Sequence, residues 1–181
     1  MRRTRDRGCG GAGGFGLTEL LVALAVAGIL LGLALPSLGR LTGESRIGAL
    51  SNDFAGALQT ARSEAIKRSG PVVACASADP LAAEPACGSV GWHTGWIVYA
   101  DETGGPGRDP GDPVVLQREG AGAGATFVPG ANVAARVRFD AEGAHVLDTG
   151  APFRGDFTLG VAGETRTVTV AASGRVTAAR P

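Results

Sequence analysis

At 181 residues the chain has room for one domain and an anchor. Its 17 basic and 17 acidic residues balance to +0, but unevenly: residues 1–14 hold four arginines and one aspartate, which leaves 13 basic and 16 acidic residues beyond them. That slightly acidic remainder excludes a bulk basic surface for nucleic acid, and 30 glycines against 10 prolines suit a turn-rich β domain better than a helical one.

The chain opens on Arg2, Arg3, Arg5 and Arg7, then glycines up to Gly14. Gly14-Phe15-Gly16-Leu17-Thr18-Glu19 follows, and an apolar run continues to Leu35. At about 20 residues the run is long enough to span a bilayer. The arginines predict that the N-terminus stays cytoplasmic and that everything after Leu35 faces the other side. An ordinary secretory signal would be cut after its apolar core. A plain single-pass anchor would need no carboxylate at Glu19, five residues after the glycine bordering the basic segment. A charge at the bilayer centre costs about 2.5–3.5 kcal/mol on insertion scales, so Glu19 is a functional candidate.

Pro36 closes the most apolar stretch. Beyond it Ile47, Leu50, Phe54, Leu58, Ala61, Ala65 and Ile66 recur at steps of three and four, the period of one buried helix face. Arg46, Asp53, Arg62, Glu64 and Lys67 supply polar positions, and Gly70-Pro71 is a stop. A helix from Phe15 to about Arg68 would be about 80 Å long. No small globular domain contains such a helix, so its first half must lie in lipid or against other subunits. Short strands are expected next, at residues 72–75, 95–100, 114–117, 136–139, 157–159, 165–170 and around Val176, the alternation being clearest in Thr165-Arg166-Thr167-Val168-Thr169-Val170. The low-complexity tract from Glu119 to Ala125 reads as a flexible loop. The helix's apolar face should pack on this sheet, giving an α+β head.

Of three cysteines, Cys9 lies in the basic segment; Cys75 and Cys87 remain in a region expected outside the cytoplasm, so a disulfide is expected, contributing roughly 3 kcal/mol for its loop size. Zinc is the competing reading, but His93 and His145 have no ligand spacing with the cysteines. Asp101-Glu102-Thr103-Gly104-Gly105, with Asp109 and Asp112, has the ingredients of a calcium loop but not EF-hand spacing. With Pro106, Pro110 and Pro113 it reads instead as a solvated connection. His93 near Ser89 and His145 near Asp148 make no nucleophile motif, and the glycine tracts lack a phosphate loop's Lys-Ser/Thr ending. No catalytic residue, cofactor or metal is expected.

The first 35 residues resemble a type IV prepilin signal. The resemblance implies cleavage after Gly14 by a prepilin peptidase, N-methylation of Phe15, and a role for Glu19 in neutralising a neighbouring subunit's N-terminal amine during filament assembly. Gly16 and Thr18 stand where the commonest pattern has threonine and isoleucine; processing depends mainly on the glycine and assembly on the glutamate. Pro36 resembles the proline that kinks the family's N-terminal helix. Three further blocks, Ala61–Arg68, Gly91–Tyr99 and Phe139–Gly143, with Ser173-Gly174-Arg175-Val176, resemble minor pilins and pseudopilins of the FimT/GspH type. The implied organisation is a leader at 1–14, a hydrophobic transmembrane and assembly segment at 15–41, and a soluble head at 42–181. The implied place is the inner membrane, single-pass with the head in the periplasm, then a pilus or pseudopilus, among other pilin subunits. The implied function is a structural and priming subunit of a type IV pilus or type II secretion pseudopilus. The alternative is a DNA-binding minor pilin acting in natural transformation. Some FimT-type proteins bind DNA through a C-terminal Gly-Arg-x-Arg motif. Here Gly174-Arg175-Val176-Thr177 keeps the first arginine, Arg180 lies nearby, and Arg136, Arg138, Arg154 and Arg166 could extend a local patch.

Overall fold

The computed structural model describes residues 16–105, 107–122, 124–130, 133 and 135–180, with the backbone alone for 31–41. The chain divides into two compact units, with the boundary between Leu41 and Thr42. One helix, α1 (Leu17–Arg68), has its first part in the first unit and its second part in the other. Glu19 in its first turn and Lys67 and Arg68 in its last complement the helix dipole. The helix ends in a Schellman motif: the Gly70 N–H donates to the Ala65 carbonyl and the Ser69 N–H to that of Ile66, both at 3.2 Å. The left-handed residue closing it is Ser69 (φ 49°) rather than Gly70, and Pro71 blocks continuation.

In the second unit the strands are β1 (Val72–Ala76), β2 (Gly95–Ala100), β3 (Val114–Glu119), β4 (Ala125–Pro129), β5 (Arg136–Phe139), β6 (His145–Val146), β7 (Gly155–Val161), β8 (Glu164–Val170) and β9 (Val176–Ala179). They form two antiparallel sheets, β3-β2-β1-β5-β6 and β4-β7-β8-β9, sheets A and B below. The long apolar runs of β1 and β2 are buried at every residue, as expected of strands covered on both faces. On one face Val72, Ala74, Trp96 and Val98 join the main core. On the other, Val73, Cys75, Ile97 and Tyr99 form a second small core with Cys87, whose disulfide to Cys75 (Cα–Cα 5.6 Å) ties the connection between β1 and β2 to the sheet.

The main core is organised around Phe54 of α1, which is fully buried. Its ring meets Trp92, Trp96 and Phe127 at centroid distances of 5.3 Å and Phe157 at 4.9 Å, all edge-to-face. One helix residue thus touches both sheets, through Trp96 of β2 in sheet A and Phe127 of β4 and Phe157 of β7 in sheet B. Gly95 (φ +145°) lets Pro80 and the β3 backbone approach the start of β2, since a Cβ there would stand 2.7 Å from Pro80 Cγ and 2.8 Å from the Arg118 carbonyl oxygen. Sheet B alternates: Phe157, Leu159, Val168 and Val170 face inward, while Thr126, Thr158, Thr165, Thr167, Thr169 and Thr177 face outward.

Candidate functional site

Gly14 and Phe15 lie outside the described residues. Glu19 sits in the first turn of α1, beside exposed Leu20, Leu21, Val22, Leu24, Val26, Ile29 and Leu30. Along the helix Glu19, Val22, Ala23, Val26, Ala27 and Leu30 fall at steps of three and four and line one shallow groove with Thr18. That stripe is apolar apart from Glu19 and Thr18, and a contiguous exposed apolar surface signals contact with lipid or protein. Among the described residues, no helix is both long and apolar enough to cross a membrane. Pro36 lies inside α1, which runs through it as continuous helix.

The blocks at Ala61–Arg68, Phe139–Gly143 and Ser173–Val176, far apart in sequence, meet at one place. Arg62 on α1 donates from Nε to the Gly143 carbonyl (3.0 Å) and from Nη2 to the Ser173 carbonyl (3.1 Å). Asp140 Oδ1 accepts the Glu142 and Ala144 N–H groups at 3.1 and 2.7 Å, shaping the turn that carries Gly143. Gly174 (φ +75°) approaches so closely that a Cβ there would lie 1.8 Å from the Gly143 oxygen. These motifs clamp the C-terminal turn to the helix end. The sequence pattern marked them as belonging together without showing that they touch.

Arg175, in that clamped turn, is exposed. Arg180 is at the other end of β9, about 17 Å away at strand spacing, and pairs with Glu44 of α1 at 3.3 Å. The structure therefore does not bring the two arginines together. Arg136 pairs with Asp148, Arg138 with Asp101, and Arg154 with Asp156, while the Arg166 guanidinium lies against Gly48 of α1. Asp148 holds the Arg136 guanidinium charged, raising its pKa.

The connection between β2 and β3, expected as solvated, is exposed at Glu102, Thr103, Gly104, Asp109, Pro110 and Gly111, but it is tied down at two carboxylates. Asp101 and Asp112 are buried. The Asp101 carboxylate accepts the Gly104 N–H at 2.8 Å and pairs with Arg138; that of Asp112 accepts the Glu102 and Asp109 N–H groups, both at 3.0 Å. Arg108 pins this loop to the β1–β2 connection through Glu84 Oε2 (2.9 Å) and the Pro85 carbonyl (3.0 Å). Backbone donors and arginines thus occupy the acceptors that a cation would use, and the described residues contain no group of three metal-ligating side chains. Burial, reinforced by Asp101, pushes the phenol of neighbouring Tyr99 up to about 12. His145 is buried between the rings of Phe139 (6.0 Å) and Phe153 (6.1 Å), while Asp148 serves Arg136. Burial lowers the His145 pKa and keeps the imidazole neutral, with the backbone of Phe153 and Val170 opposing.

A family model described as "Type II transport protein GspH" matches residues 50–174, which run from the buried face of α1 through β1–β8 to the Gly174 turn. The chain belongs to the GspH family. Solved structures bear out the fold. Two crystal structures of the Pseudomonas aeruginosa (strain PAO1) type IV minor pilin FimU share 19% and 18% identity with this GspH-family chain, with TM-scores of 0.53 and 0.52. The matches cover 74% and 73% of this chain and 88% and 91% of theirs. The minor pseudopilin EpsH from the Type 2 Secretion System of Vibrio cholerae shares 11% identity over 75% of this chain and 98% of its own, with a TM-score of 0.51. No curated protein matches this GspH-family chain in sequence.

Proposed function

We propose that this minor pilin or pseudopilin is a structural and assembly-priming subunit of a type IV pilus or type II secretion pseudopilus. Prepilin peptidase cuts between Gly14 and Phe15, and Phe15 is N-methylated. Residues 15–41 serve as inner-membrane anchor and assembly helix, and residues 42–181 form the periplasmic head. The observation that carries this reading is the exposed apolar stripe of α1 with Glu19 at its start. An unpaired carboxylate is costly in lipid, so Glu19 is matched by a neighbour's N-terminal amine. Mass spectrometry of membrane-extracted protein is expected to find Phe15 as the methylated N-terminus. An intact Met1, or a terminus beyond Leu35, contradicts the proposal. Glu19→Ala is expected to be cleaved normally yet left out of filaments; normal incorporation would remove the role assigned to Glu19.

A second reading, DNA capture, has one observation in its favour: Arg175 is exposed and has no carboxylate partner among the described residues. Against it, Arg136, Arg138, Arg154 and Arg180 all pair with carboxylates. Binding by the head is therefore expected to be weak and to fall steeply with salt. A gel-shift titration tests this. A tight shift that survives moderate salt and vanishes in Arg175→Ala/Arg180→Ala would favour DNA capture.

A further inference from the structure

The head carries a cleft of about 760 Å³ that the clamp, the disulfide and the apolar stripe leave unused. One wall is α1, through Arg46, Leu50 and Asp53; Trp96 of β2, Glu119 of β3 and Val161 of β7 also line it. Trp96 is almost completely buried. The two strands that reach the cleft, β3 ending at Glu119 and β4 beginning at Ala125, are each an edge strand, of sheets A and B respectively. Their outer backbone groups can pair with an added extended chain.

The charges lining the cleft restrict what fits. Arg46 is exposed and has no ion pair among the described residues. Asp53, seven residues further along α1, is about 10 Å away along the helix axis and is bridged to Arg118 at 3.2 Å. Glu119 stands at that same end, since its neighbour Gly95 adjoins Trp96 and Trp96 pairs with Arg118 in the sheet. The cleft thus has a basic end and an acidic end, with apolar walls between. Ten ångströms is about three residues of extended chain. A complementary segment carries an acidic residue for Arg46, an apolar residue over Trp96, and a basic residue for the Asp53 end. None of this chain's own edge strands has that pattern: β4 and β9 carry no charge, β6 only His145, and the two charges of β3, Arg118 and Glu119, are adjacent.

We propose that this cleft is the docking site for an extended segment, of acidic–apolar–basic pattern, from the head of a different pilin-fold subunit in the same filament. The proposal rests on the assembly reading above and names the head-to-head contact within it.

The test places a photo-crosslinking amino acid in the full chain, in cells that assemble it, at one of three positions. Ala121 is on the cleft, Leu24 is in the apolar stripe, and Thr158 is on the outer face of sheet B. Ala121 is expected to yield an adduct with another pilin-fold subunit, mapped by mass spectrometry to an extended segment with acid and base about three residues apart. Thr158 should yield at least tenfold less. Arg46→Glu should lower the Ala121 adduct tenfold or more and leave the Leu24 adduct unchanged. A Leu24 adduct without one at Ala121 overturns the cleft and leaves the assembly reading standing; loss of both overturns both. An Ala121 adduct with a second copy of this chain, or one indifferent to Arg46→Glu, overturns the assigned occupant.

Discussion

Gly174→Ala tests whether the Gly174-Arg175 turn is a clamp. The substitution has two separable costs. At φ +75° an alanine is strained, which costs about 1–2 kcal/mol for a left-handed non-glycine residue. Its Cβ would also stand 1.8 Å from the Gly143 oxygen and 2.9 Å from Arg62 Nε. Backbone cannot yield at that distance without moving the Gly143 turn. Moving it lengthens the charged hydrogen bond from Arg62, which is worth about 1.5–3 kcal/mol. The total expected loss is about 3–5 kcal/mol. Gly163→Ala is the internal control. It has a similar angle (φ +85°) but nothing within 4 Å of the added Cβ, so it should lose only the strain, about 1–2 kcal/mol. Urea unfolding of residues 42–181, followed by tryptophan fluorescence, measures both. In melting temperature the difference between the two variants corresponds to roughly 3 °C per kcal/mol for a unit of this size. Equal losses in the two variants would refute the close approach of the two turns and with it the clamp.

Three further outcomes are expected. Phe54→Ala should cost about 4 kcal/mol, the range for truncating a buried phenylalanine, and blunt the unfolding cooperativity of both sheets because its ring touches each; a loss under about 1 kcal/mol, well below that range, would show that the rings repack without it. Peptide mapping of oxidised protein should recover Cys75 linked to Cys87, and the double serine variant should lose roughly 3 kcal/mol of stability; two free thiols in periplasmic protein would contradict this. His145 is held neutral by burial, with its folded pKa below the unfolded value of about 6.5, so the unfolded state binds the extra proton and stability falls as pH drops below about 6.5; in urea titrations His145→Gln should flatten that decline, and an unchanged slope would place the acid sensitivity elsewhere.

Much of the head could be read in the sequence because its signals are local. The three- and four-residue apolar steps from Ile47 to Ala65 predict a helix with one buried face, and Ile47, Phe54, Leu58, Ala61 and Ala65 are buried; Ile66, counted with them, is exposed because it sits in the last turn. The alternation from Thr165 to Val170 predicts a half-buried strand, and Val168 and Val170 point inward. Strand β4 escaped notice because it starts inside the Gly-Ala tract and ends on Pro129, both unfavourable to strands; it forms because β7 pairs along its length and Phe127 reaches Phe54. The loop from Asp101 to Pro113 reads as solvated from its Asp, Gly and Pro content. Much of it is exposed, but the buried Asp101 at its start pairs with Arg138, 37 residues away, and no local pattern reports such a partner. The clamp at Arg62 spans 81 and 111 residues and becomes visible only when the chain is folded.

The threonines on the outer face of sheet B have a consequence for how the head sticks to its surroundings. Side by side, Thr158 faces Thr167 and Thr169 faces Thr177, giving a surface of methyls and hydroxyls that hydrates without ionising. Its one carboxylate, Asp156, is engaged by Thr169 at 2.7 Å and by Arg154. Hydroxyls do not titrate in any physiological range and neutral groups are blind to ionic strength. This flank of the head should therefore keep the same adhesiveness through swings of acidity and salinity that would alter a charged surface.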